Sequence, residues 1–200
     1  MKSKNSRRSR RKSSPPYAAI FVGAGLLILG VVAVLLLARP EQASSSPDNS
    51  APSNEMSVVP ASVNFPAPEL SLSDLNGSQE SLVDYKGQVV LVNNWATWCP
   101  PCKAEMPTLL AYYEEHKDEG FSLIAIEAGE PAEEVAEFVA DYGLTFPVWL
   151  DPQNKALIAF QNQGLPNSYV IDRDGTVRLA WTGAISKSML EKYVTPLLED

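Results

Sequence analysis

The sequence predicts an α/β fold: a central mixed β-sheet flanked by helices, preceded by one N-terminal transmembrane helix. Three observations carry that expectation. Tyr17 to Ala38 is a 22-residue stretch without a charged side chain, near the start of the chain. Residues 64–200 alternate mostly apolar, strand-like runs with segments of helical period. Toward the C-terminus, two strand-like runs flank an Arg173-Asp174-Gly175 turn and a helix-like segment follows, the pattern of a mixed sheet with helices on both faces.

Residues 1–16 carry seven basic residues (Lys2, Lys4, Arg7, Arg8, Arg10, Arg11 and Lys12) and no acid. As a helix, residues 17–38 would span roughly 33 Å at about 1.5 Å per residue, enough for a bilayer core of about 30 Å. The positive-inside rule keeps the basic segment cytoplasmic and brings the chain out on the far side of the cell membrane, as a single-pass protein. A cleaved secretory signal is the competing reading. Its apolar core is shorter, and Leu36 and Glu41 occupy the −3 positions for cleavage after Ala38 and Ala43. No lipobox cysteine is present. Both readings put the remainder outside. Residues 39–63, rich in Ser, Pro, Ala and Asn and without apolar period, read as a flexible linker.

Residues 64–200 are long enough for one sizeable core. They hold eight basic and twenty-one acidic residues, a net of −13, which repels nucleic-acid phosphates. Gln88 to Trp95 is mostly apolar, as in a buried strand. A helix is expected from Pro100 to about Lys117 and a strand over Phe121–Ile126. Pro131 starts a second helix, with Glu133 and Glu134 in its first turn, apolar Val135, Phe138, Val139 and Tyr142 at helical spacing, and Gly143 at its end. A short strand over Phe146–Leu150, a short helix over Asn154–Gln161, a hairpin over 167–181 and a last helix over Ser186–Leu198 complete the pattern. His116 reads as a surface residue, and the Glu114-Glu115 and Glu133-Glu134 pairs as solvated helix faces.

Only two cysteines occur, Cys99 and Cys102. A disulfide framework would need more, and with one histidine in the chain they cannot close a tetrahedral zinc site. Redox chemistry, a partial metal site and accident remain. The context, Trp98-Cys99-Pro100-Pro101-Cys102 between a buried strand and a helix, favours redox chemistry. Positions i and i+3 at a helix start lie on one face, within reach of a disulfide. Cys99 at the helix edge meets free backbone N–H groups and the positive end of the dipole, which favour the thiolate. Pro100 and Pro101 preset the first turn. Cys102, one turn deeper, suits a resolving thiol.

The segment from Val89 through Cys99-Pro100-Pro101-Cys102 to Pro107 resembles the active-site region of thioredoxin-like proteins of the TlpA/ResA type, and Gly164-Leu165-Pro166-Asn167-Ser168-Tyr169-Val170-Ile171-Asp172 resembles their cis-proline segment. The likeness covers essentially all of residues 64–200 and implies a thioredoxin-like fold. It implies that Pro166 is cis beside the sulfurs and that the Leu165 backbone can pair with a substrate strand. Trp98, Pro100, Pro101, Leu165 and Pro166 are thus the expected substrate-contacting residues. It also implies that Glu105 is a buried acid that exchanges a proton with Cys102. Pro107 matches a helix-kinking proline. The chain departs from the pattern at Asn93, where this branch commonly has an acid, at Asn94 in place of an aromatic residue, and at Asn167-Ser168 in place of threonines.

The resemblance implies an extracytoplasmic thiol-disulfide oxidoreductase that needs no cofactor beyond the Cys99–Cys102 pair. A membrane thiol donor would supply electrons, and oxidised exported proteins such as apocytochrome c would receive them, as in cytochrome c biogenesis. The lipid bilayer is the expected partner of residues 17–38, and nucleic acid is not a partner. A disulfide-forming oxidase would use the same residues in the opposite direction. A copper carrier is a further alternative through soft thiolates, although carriers on this fold pair wider cysteine spacing with a distal histidine. A peroxidase does not fit the Trp-Cys-Pro-Pro-Cys context.

Overall fold

The structure is a computed structural model and describes residues 58–199. The basic segment 1–16, the expected anchor 17–38 and most of the expected linker 39–63 lie outside the described residues. Among the described residues, no helix is long and apolar enough to cross a membrane.

One eight-stranded mixed sheet organises this region. Its strands are β1 (Ala61–Pro66), β2 (Ser71–Asp74), β3 (Gln79–Ser81), β4 (Val89–Trp95), β5 (Phe121–Glu127), β6 (Val148–Leu150), β7 (Asn167–Ile171) and β8 (Thr176–Thr182). The spatial order is β1-β8-β7-β4-β5-β6-β2-β3. Strands β4, β5 and β6 run parallel, while β7, β8 and β1 on one side and β2 and β3 on the other are antiparallel to their neighbours. The helices are α1 (Pro100–His116), α2 (Ala132–Tyr142), α3 (Lys155–Ala159), α4 (Lys187–Tyr193) and α5 (Thr195–Leu198).

Strand β4 sits mid-sheet and every residue of it is buried, as its apolar sequence requires for a strand covered on both faces. Alternation splits its side chains between two cores. Val89, Leu91 and Trp95 join Cys102, Met106, Leu109 and Tyr112 of α1, Val135 and Phe138 of α2, and Leu190 of α4. Val90 and Val92 join Ile124, Ile126, Trp149, Tyr169 and Ile171, closed by Ala156 of α3 and by Phe160, Leu70 and Leu82. Gly143 ends α2 in the left-handed conformation, with the Leu144 N–H on the Val139 carbonyl.

The β4–α1–β5–α2–β6 order and the 167–181 hairpin follow the sequence pattern. Three features differ. The sheet begins at Ala61, inside the segment read as linker, because β1 is an exposed edge strand with no apolar period. Strands β2 and β3, of four and three residues, are too short to leave a pattern. The expected last helix breaks at Val194 into α4 and α5, because Pro196 has no N–H to continue the ladder. His116 is also not a surface residue: it is buried, its ring 4.4 Å from that of Tyr112 and Nδ1 2.6 Å from Glu119 Oε2.

Candidate active site

The parallel strand β4 stops at Trp95, and a tight turn delivers Cys99 to the start of α1, its N–H donating to the Ala96 carbonyl at 3.2 Å. Cys99 is the N-cap: its backbone is extended and its Sγ accepts the Cys102 N–H at 3.3 Å. That contact places the outer sulfur on an otherwise unpaired helix donor, the interaction that stabilises a thiolate once the pair is reduced. Pro100 and Pro101 occupy the first two helical positions, where no N–H is needed. The structure holds the pair as a Cys99–Cys102 disulfide with Cα atoms 5.3 Å apart. Cys102 is fully buried and Cys99 is 3% exposed, while Trp98 beside them is 65% exposed. Pro100 and Pro101 are exposed as well.

Glu105 lies one turn beyond Cys102 on the same face of α1 and is 2% exposed. Its Oε1 accepts from Asn93 Nδ2 at 2.8 Å and its Oε2 from the Ile185 backbone N–H at 2.9 Å. Loss of solvent pushes its pKa up to about 7, although the two donors hold it down. The amide of Asn93 spends its second hydrogen on Ser168 Oγ at 2.9 Å. Two of the departures from the resemblance thus meet on one face of the sheet: Asn93 bridges the acid to Ser168 of β7.

The Leu165–Pro166 peptide bond is cis. Register brings it to the site: Asn167, the next residue, pairs with Asn94 near the end of β4. Asn94 Nδ2 donates to Asn167 Oδ1 at 2.7 Å, and Asn167 Nδ2 donates to the Gly164 carbonyl at 2.6 Å. Two buried amides therefore fasten the Gly164–Pro166 loop to the strand that leads to Cys99. Leu165 packs against the core that contains both cysteines, and Pro166 is buried. The structure gathers Cys99, Cys102 and Glu105 at the head of α1, and β4–β7 pairing brings the 165–166 loop to that end of the sheet.

A second acidic group at this end escapes sequence reasoning. Glu127, the last residue of β5, is fully buried and pairs in register with Trp95. Both its carboxyl oxygens accept the Glu130 N–H at 3.0 Å. Glu130 in turn accepts the Thr97 N–H at 2.6 Å and bonds Thr97 Oγ1. Burial, and then a carboxyl–carboxyl hydrogen bond with Glu130, push the Glu127 pKa up to about 8. The signal lay in the sequence as a glutamate closing the apolar run Phe121–Ile126.

Comparison with known proteins places this geometry. The AhpC/TSA family model matches residues 63–180. The thiol-disulfide oxidoreductase ResA of Geobacillus kaustophilus is 38% identical over 128 residues, covering 64% of this chain and 74% of the relative. ResA of Bacillus subtilis is also 38% identical, over 64% of this chain and 72% of its own length. The crystal structure of a thiol:disulfide interchange protein of the thioredoxin family from Chlorobium tepidum superposes with a TM-score of 0.62 at 29% identity, over 69% of this chain and 99% of that one. With its cysteine pair at the head of the helix after the central strand, the chain belongs to the AhpC/TSA family and is a thioredoxin-like thiol-disulfide oxidoreductase of the ResA type.

Proposed function

We propose that this oxidoreductase is an extracytoplasmic reductase, held to the cell membrane by residues 17–38, with residues 1–16 in the cytoplasm and 39–63 as its tether. Its substrates in this reading are disulfides of exported proteins, apocytochrome c among them, and a membrane thiol donor recharges it. The single observation that carries the reading is the Cys99–Cys102 pair capped on α1 with a buried carboxyl, Glu105, one turn below.

The steps follow from that arrangement. Once reduced, the Cys99 thiolate attacks one sulfur of a substrate disulfide. A Cys99–substrate bond forms, and the substrate's second sulfur leaves as a thiolate and takes up a proton. Cys102 is buried and ionises poorly without a base, and Glu105 on its face of the helix accepts its proton. The Cys102 thiolate then attacks Cys99 Sγ, the internal disulfide closes, and the substrate departs with two electrons and its second thiol. Trp98, Pro100 and Pro101, exposed around the sulfurs, and the Leu165–Pro166 loop supply the contact surface for the substrate chain.

The full-length Cys102→Ala variant tests this. It cannot close the internal disulfide, so it accumulates substrates on Cys99 as mixed disulfides. Mass spectrometry is expected to find exported cysteine-containing proteins, cytochrome c precursors among them. Recovery of no partner, or of cytoplasmic proteins only, would contradict the proposal.

A further inference from the structure

We propose that Glu127 and Glu130 are positioning residues: a clamp in which Glu127 seats Glu130, and Glu130 fixes the Thr97–Trp98 segment and through it the orientation of Cys99. The inference rests on the reading of Cys99 as the attacking thiol.

The clamp is built from consecutive contacts. Thr97 stands two residues before Cys99 and belongs to neither β4 nor α1. Its backbone N–H and its hydroxyl both bond the Glu130 carboxylate. Glu130 is held by its own N–H on both oxygens of Glu127. Glu127 is anchored in the sheet, where the Ala128 N–H donates to the Trp95 carbonyl at 3.0 Å and the Asp151 N–H to the Glu127 carbonyl at 3.0 Å. Gly129 makes the reversal at φ +96°, a conformation that a side chain would strain. The chain of bonds therefore runs from the buried end of β5 to the turn that presents Trp98 and Cys99.

The charge of Glu127 bears on the clamp as well. Burial first, and then the neighbouring Glu130 carboxyl, push its pKa up to about 8, so Glu127 is neutral at pH 7 and adds a negative charge beside Glu130 above pH 8. Other charged groups nearby are turned elsewhere or exposed. Asp151, after β6, turns its carboxylate to the Lys155 and Ala156 N–H groups at 2.9 and 2.8 Å. Glu133 and Glu134 of α2 are exposed. Lys103 of α1 lies 6.0 Å from the Phe138 ring centroid.

The test uses the full-length protein in mild detergent, with reduction of a disulfide-linked model peptide and iodoacetamide labelling of reduced Cys99 read across pH 6–10. Glu130→Ala is expected to lower kcat by about tenfold with KM within about twofold, the signature of misplaced chemistry and not of lost binding. Thr97→Val, which keeps the branched shape, removes one bond and is expected to cost about threefold. Above pH 8 the wild type is expected to fall about threefold below its plateau in kcat and in labelling rate. Glu127→Gln, which cannot ionise, is expected to keep the plateau. Wild-type kinetics in both Glu130→Ala and Thr97→Val, or an alkaline decline in Glu127→Gln that matches the wild type, would overturn the clamp alone. A wild type unable to reduce the peptide would overturn the clamp together with the reading of Cys99 beneath it.

Discussion

Glu105 and Glu127 are both buried carboxyls at the cysteine end of the sheet, and they differ in what faces them. Glu105 meets donors, one on each oxygen: the Asn93 amide and the Ile185 N–H. Glu127 meets a second carboxyl, Glu130, as well as N–H groups. Burial raises both, but the donors restrain Glu105 at about 7 and the opposing carboxyl carries Glu127 to about 8. The difference teaches that burial alone does not make an acid useful for proton exchange. The neighbours set how far the effect of burial is offset: donors on both oxygens hold Glu105 lower and an opposing carboxyl adds to the rise at Glu127, which suits Glu105 to the proton exchange proposed for it.

The comparison breaks most visibly at Glu105 itself. Glu105→Gln keeps an oxygen for one donor but cannot take the Cys102 proton. Resolution of a preformed Cys99 mixed disulfide is expected to slow by about 100-fold, read by single-turnover quench. The same substitution at Glu127 is expected to leave resolution at neutral pH within about twofold.

Stability against pH gives the next effect. The Glu105 pKa is about 7 in the folded protein against 4.5 for the ordinary side chain. The folded state therefore binds more protons than the unfolded state between those values, and the group's contribution falls as pH rises through the window. The loss is expected to be on the order of 2–3 kcal/mol by pH 8. Denaturant titrations should show it in the wild type on top of the loss of the same sign from Glu127, whose pKa is pushed up to about 8, and Glu105→Gln should reduce the slope by the Glu105 share. A slope unchanged in the variant would assign the pH dependence elsewhere.

Asn93 offers a way to turn one site into the other. Asn93→Asp places a second carboxyl where the amide now donates to Glu105 at 2.8 Å, so Glu105 acquires the surroundings of Glu127. Its pKa is expected to rise, and the pH–rate profile for resolution to move alkaline by about one unit. Asn93→Leu removes the donor without adding charge and should move the profile the same way by less.

Much of this arrangement was legible in the residues. The apolar run of β4 and the Cys99-Pro100-Pro101-Cys102 spacing locate the cysteine pair, because a buried strand followed by a proline-started helix leaves few places for a sulfur. The hairpin at Gly175 is equally readable, since φ +86° there suits glycine. Glu105 and the cis bond at Pro166 came through family resemblance and not through period. Three features did not come through. The outer strands β1, β2 and β3 carry no alternation. His116 lies on the buried face of α1, four residues after Tyr112, whose ring it meets; that spacing is readable, but a lone polar residue near a helix end reads as a surface one. The Glu127–Glu130–Thr97 connection joins residues 33 positions apart and depends on the β4–β5 register. Asn93 and Asn94 read only as departures until that sheet showed them joined to Ser168 and Asn167.

The most direct test of the account is the reduction potential of the Cys99–Cys102 couple in the full-length protein, equilibrated with thiol–disulfide buffers. A reductase of exported proteins is expected to lie near the reducing members of this fold, about −270 mV. A value near about −120 mV, that of the strong oxidants, would contradict it and assign the opposite direction of electron flow.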